Sequence, residues 1–119
     1  MDVCLFFAGD TALHPDFGSF AARCGPFDAA ILPIGAYEPR WFMGSVHMNP
    51  EDCIDAVAQL ETGQNGAQLV MVAAHWGTFK LTDEPMDEPP GRMHELWRAA
   101  GRDSENLWIM RHGETRIMT

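Results

Sequence analysis

Four short apolar runs set the limits on what this chain can fold into. Val3–Ala8, Ala29–Ile34, Gln68–Ala74 and Leu107–Met110 are rich in Val, Ile, Leu, Phe and Ala. Runs this short, bounded by turn residues, suit strands buried in a sheet. Between them lie segments with helical periodicity. Asp16–Arg23 carries Phe17, Phe20 and Ala21 at i, i+3 and i+4, and Gly25-Pro26 stops it. Asn49 has the character of an N-cap, followed by Pro50, Glu51 and Asp52, which suit a helix N-terminus. That helix runs to about Glu61, with Gly63 just beyond its end. Arg92–Ala100 carries Met93, Leu96, Trp97 and Ala100 on one face and is stopped by Gly101. Gly35–His47 and the proline-rich Thr82–Pro90 read as loops. Strict alternation of strand and helix predicts an α/β fold, with a parallel or mixed sheet covered by helices on one or both faces.

Composition narrows the function. With 119 residues, the chain has room for one small domain, and 46% apolar and 21% charged residues are ordinary globular values. The formal net charge is −9. An acidic surface repels phosphate backbones, so a nucleic-acid partner is not expected. The three cysteines, Cys4, Cys24 and Cys53, are odd in number and widely spaced, which reads as free thiols in a reducing, cytoplasmic setting. No apolar run approaches the roughly 20 residues of a membrane helix.

Two polar residues stand where buried strands end. Asp10 follows the first run through Gly9, and His75 follows the third directly. Side chains at the C-terminal ends of strands in α/β sheets are held rigidly and exposed by the following loop. Asp10 is either a turn residue bonding its own backbone or a metal ligand. His75 is either a satisfied loop histidine or a ligand. If their strands are neighbours, an Asp/His pair suits zinc, iron or manganese, although zinc wants three or four ligands.

Longer motifs sharpen the picture. Phe7-Ala-Gly-Asp-Thr11, Gly25-Pro-Phe-Asp28, Leu32-Pro-Ile-Gly-Ala-Tyr-Glu-Pro-Arg-Trp-Phe-Met43, His47-Met-Asn-Pro-Glu51, His75-Trp-Gly-Thr-Phe79 and His112-Gly-Glu114 occur in this order. Together they resemble the C-terminal half of the N-acyl-phosphatidylethanolamine-hydrolysing phospholipase D family, hydrolases of the metallo-β-lactamase fold. The resemblance covers essentially the whole chain. It implies half of an αββα sandwich and a two-zinc centre whose bridging water attacks a phosphodiester. It implies that Asp10 bridges the two ions, that His75 binds the second, and that His47 contacts the substrate phosphate or assists proton transfer. Tyr37, Glu38, Arg40, Trp41 and Phe42 would line the mouth, with Arg40 either pairing with a phosphate or forming an ion pair with Glu38. Trp76 reads as packing. The substrate implied is a phospholipid or other phosphodiester, met by a cytoplasmic protein peripheral to a membrane.

The family's His-x-His-x-Asp-His motif does not occur in these residues. A core strand opening at residue 3 also has nothing before it to cover it. Both features lead to the expectation that the N-terminal half of the domain is absent. Such a chain would be an inactive fragment, or a half-domain that associates with itself or with a separate N-terminal half. Leu107–Thr115 also resembles the Arg-His-Gly motif of histidine phosphatases, but that motif opens a domain, and only four residues follow it here.

Overall fold

The structure is a computed structural model that describes residues 2–118. Four strands, β1 (Leu5–Phe7), β2 (Ala29–Pro33), β3 (Val70–Ala74) and β4 (Leu107–Trp108), form one sheet in the order β1-β2-β3-β4. Every pairing is parallel. Helix α1 (Phe17–Cys24) joins β1 to β2, α2 (Arg40–Met43) and α3 (Pro50–Gly63) join β2 to β3, and α4 (Glu88–Ala99) joins β3 to β4.

This order decides which face is covered. Parallel strands joined in sequence by right-handed crossovers place every helix on the same side of the sheet. Phe6, Ala30, Met71 and Leu107 lie in one row across the sheet and belong to the core shared with the helices. Phe17 and Ala21 of α1, Cys53, Ala56, Val57 and Leu60 of α3, and Met93 and Trp97 of α4 complete it. The next row, Phe7, Ile31, Val72 and Trp108, faces the other way.

The expectation that Val3–Ala8 is buried on both faces is therefore corrected. Cys4, Phe6 and Ala8 turn toward the core, Phe6 against Phe17, Phe20 and Phe27. Leu5 and Phe7 point to the other face of the sheet and are 54% and 69% exposed.

The capping signal at Asn49 is realised in full. The Asn49 side chain accepts from the Asp52 N–H, and the Asp52 carboxylate accepts from the Asn49 N–H. Helix α4 starts four residues earlier than the sequence suggested. Pro89 and Pro90 fall in its first turn, where a missing N–H costs nothing. Helix α2 lies inside a stretch expected to be loop. Helices α1 and α3 meet so closely that a Cβ at Gly63 would drive into the Gly18 carbonyl oxygen. Trp97 is anchored by its indole N–H, which donates to the Asp103 carbonyl at 2.8 Å.

Candidate metal centre

Three donor side chains meet above the C-terminal edge of the sheet. Asp10 arrives through the turn after β1, His47 from the segment between α2 and α3, and His75 directly from β3. Each therefore comes from the connection that leaves a different strand. Asp10 and His75 do not come from neighbouring strands, since β2 lies between theirs. The loops arch across its end to bring the side chains together.

The Asp10 carboxylate faces one imidazole with each oxygen. Oδ1 lies 2.9 Å from His47 Nδ1, and Oδ2 lies 3.8 Å from His75 Nε2. One ligand atom from each residue falls within 4.8 Å of the others. The two rings are 5.3 Å apart between centroids. The His47 side chain is 14% exposed, and its Nδ1 is buried without a hydrogen bond. Close as it is to Asp10 Oδ1, the pair is not aligned for one. An orphaned buried nitrogen aimed at a carboxylate is expensive unless something else satisfies both. A divalent cation held by one carboxylate and two imidazoles would do so. Three protein donors with one position left open is the pattern of catalytic zinc sites. Among the described residues this is the cluster that fits a metal ion.

The surroundings fix these donors in place. Arg40 does not reach toward the donor cluster. Its Nη1 donates to the His47 carbonyl at 3.0 Å, and its Nη2 pairs with Asp52 at 2.5 Å. The ion pair expected with Glu38 is made with Asp52 instead, and the guanidinium ties the His47 segment to the cap of α3. His75 has φ of 64°, unusual for a residue other than glycine, and its Nδ1 lies 3.4 Å from the Gly35 carbonyl.

The expected mouth residues separate. Tyr37 is fully buried, not at the mouth. Its hydroxyl donates to Glu88 and its ring lies under Arg92, both on α4. Burial, then the hydrogen bond to Glu88, pushes its pKa well above the usual tyrosine value. Glu38 is held through its backbone, its N–H donating to Glu84 and its carbonyl accepting from Asp83. Trp41 and Phe42 do project from α2, 87% and 64% exposed. Trp76 is partly buried against the core and leans on the His112 ring, as a packing residue would.

Sequence reasoning missed Glu84, which is 8% exposed and takes three successive backbone N–H groups. Burial alone would raise its carboxyl. Hydrogen bonds from Thr82 and from the backbone outweigh that and hold it below the usual glutamate range. His75 also borders an open cleft of about 490 Å³ lined by Trp76, Thr78, Phe79, Leu81, Met110, Arg111 and His112. His112 Nε2 lies 3.2 Å from the Thr78 hydroxyl.

A parallel sheet with helices on one face thus gathers one carboxylate and two imidazoles at its C-terminal edge, an α/β architecture with a candidate metal site. Residues 2–76 match the family model of a beta-lactamase superfamily domain, and the chain belongs to that superfamily. It is 41% identical over 96 residues to N-acyl-phosphatidylethanolamine-hydrolyzing phospholipase D 1 of Caenorhabditis elegans, covering 79% of this chain and 25% of that protein. It is 34% identical over 94 residues to the mitochondrial N-acyl-phosphatidylethanolamine-hydrolyzing phospholipase D of Saccharomyces cerevisiae, covering 77% of this chain and 19% of that one. An uncharacterized protein of Mycobacterium tuberculosis is 41% identical over 88 residues, covering 74% and 22%. The chain thus spans a quarter or less of the length of these relatives. The crystal structure of unliganded yeast PDE1 superposes with a TM-score of 0.58 at 17% identity, over 88% of this chain and 33% of that one. The fold is that of the metallo-β-lactamases.

Proposed function

We propose that Asp10, His47 and His75 hold a zinc ion in a hydrolase that cleaves phosphodiesters of the N-acyl-phosphatidylethanolamine type. The observation that carries this reading is the convergence of the three donor atoms within 4.8 Å, with His47 Nδ1 buried and unsatisfied. His47 thereby takes the part of a ligand beside the phosphate-contacting role expected for it. Zinc, when bound, lowers the pKa of a coordinated water toward about 7 and polarises a phosphoryl oxygen. The chain's own residues do the rest. Asp10 offsets positive charge and spans the two imidazoles. Arg40 holds the His47 backbone still. Arg111 and His112 line the cleft beside His75 and would meet the phosphate, while Trp76, Phe79, Leu81 and Met110 offer apolar surface to an acyl chain. A mixed lining of this kind suits an amphiphilic phosphodiester at a membrane surface. The names of the relatives support the same substrate class.

A two-ion centre, as the resemblance implies, needs donors beyond the one cluster found among the described residues. The second reading is therefore an associating half-domain, inactive alone, that docks on a separate N-terminal half or on itself. The exposed row of Leu5 and Phe7 favours it. The test is phosphodiester hydrolysis by the full chain, using N-acyl-phosphatidylethanolamine vesicles with and without added zinc. Zinc-dependent release of phosphatidic acid, abolished in D10A and H75A, is the expected result. Inactivity with zinc bound would favour the associating half-domain. Hydrolysis unaffected by chelator or by both substitutions would reject the metal reading.

A further inference from the structure

Glu84 lies between β3 and α4, apart from the donor cluster. Its carboxylate is nonetheless the fixed point of the turn that leaves β2. Oε2 accepts from the Ala36 N–H at 2.8 Å, and Oε1 accepts from the N–H groups of Tyr37 and Glu38 at 3.2 and 2.9 Å. Lys80 braces the segment from below, its Nζ donating to the Glu84 carbonyl at 2.7 Å. Three backbone donors converging on one nearly buried carboxylate is far more than a surface glutamate needs.

The reason lies in the turn itself. Ala36 has φ of 66°. An L-residue held there is strained and persists only where its surroundings impose it. The residue before it, Gly35, is pressed against His75: a Cβ on Gly35 would drive into the His75 carbonyl oxygen. The Gly35 carbonyl also lies 3.4 Å from His75 Nδ1. His75 is itself at φ of 64°. Two left-handed turns thus stand back to back, and Glu84 clamps one of them.

An imidazole presents a chosen nitrogen only if its other nitrogen has a partner that fixes the tautomer and the ring. With Nδ1–H directed at the Gly35 carbonyl, Nε2 is the nitrogen left to face Asp10. We propose that Glu84 is a positioning residue for His75: by clamping the N–H groups of Ala36, Tyr37 and Glu38 it keeps the Gly35 carbonyl at Nδ1 and so presents Nε2 to Asp10. The consequence for metal binding rests on the zinc reading above. The positioning itself is a property of the metal-free chain.

That separation sets the experiment. The full chain, labelled with 15N-histidine and freed of metal, is examined at pH 8 by long-range 1H–15N correlation, which reports the tautomer of each ring. Wild type is expected to show His75 with its proton on Nδ1. E84A should shift His75 toward the tautomer mixture of a free imidazole. His94, exposed on α4, serves as an unmoved control. E84Q retains one acceptor oxygen and should show a smaller shift in a chain that still folds. An unchanged His75 tautomer in folded E84A overturns the proposal. Unfolding of both variants also overturns it, since Glu84 would then serve the fold at large. If zinc binds wild type, its affinity should fall about 10- to 100-fold in E84A. If wild type takes up no zinc, the metal reading fails while the tautomer shift still decides the role of Glu84.

Discussion

His47 is the residue on which the proposed metal site turns. A buried imidazole nitrogen 2.9 Å from a carboxylate oxygen, yet without a hydrogen bond, is a group awaiting a partner. Arg40 holds it there through the His47 carbonyl and Asp52. R40Q removes a charge-assisted hydrogen bond and an ion pair that is partly exposed. It should lower stability by about 1–3 kcal/mol in urea unfolding. A phosphate-binding arginine would instead leave stability unchanged on substitution. Glu84 gives a pH signature. Its folded pKa lies below the ordinary value of 4.5, so its contribution is complete above that value and is lost as pH falls through the lower folded one. The urea midpoint of wild type should therefore drop more steeply below about pH 4.5 than that of E84Q.

Legibility at this scale follows from distance along the chain. Asp10 and His75 could be picked out because each ends an apolar run, a local signal. Tyr37 reads as a mouth residue yet is buried, because its partners Glu88 and Arg92 are more than fifty residues away and signal nothing near residue 37. Glu84 sits in an acidic, proline-rich stretch that reads as solvated loop, and only the folded turn shows what it accepts. Arg40 reads as a phosphate partner or as a mate of Glu38, since nothing near residue 40 signals that it pairs with Asp52 at the next helix.

The helices carry the strongest local signals. Asn49, Pro50 and Asp52 announce the start of α3, and the capping box forms as written. The start of α4 was harder, because prolines read as breakers and here occupy the one turn that tolerates them. The packing of α1 on α3 was invisible: Gly63 looked like a helix stop, and its tight contact with Gly18 is tertiary. This contact gives opposing expectations for G63A. Replacing a helical glycine gains up to about 1 kcal/mol. Forcing a Cβ into a backbone oxygen that cannot swing aside costs about 1–3 kcal/mol. The clash should win, and G63A should unfold at a lower temperature than wild type.

For the whole molecule, strand order is the governing fact. Alternating strands and helices were legible as an α/β fold, but sequence pattern alone left open whether helices lie on one face or both. The sequential order settles it, leaving Leu5 and Phe7 open to solvent beside Ile31, Val72 and Trp108. An apolar face of this kind favours association. Sedimentation of the chain should show a concentration-dependent increase in mass, and F7K, which places a charge on that face without touching the core, should reduce it. Unchanged mass in F7K would locate the association elsewhere.

The proposed zinc centre is tested most directly by X-ray absorption at the zinc edge on the zinc-loaded full chain. One zinc per chain, with two imidazole nitrogens and oxygen donors at about 2.0–2.2 Å, is the expected result. A sulfur shell at about 2.3 Å, which would mean that a cysteine holds the ion, or a zinc without imidazole scattering, would contradict the assignment of Asp10, His47 and His75.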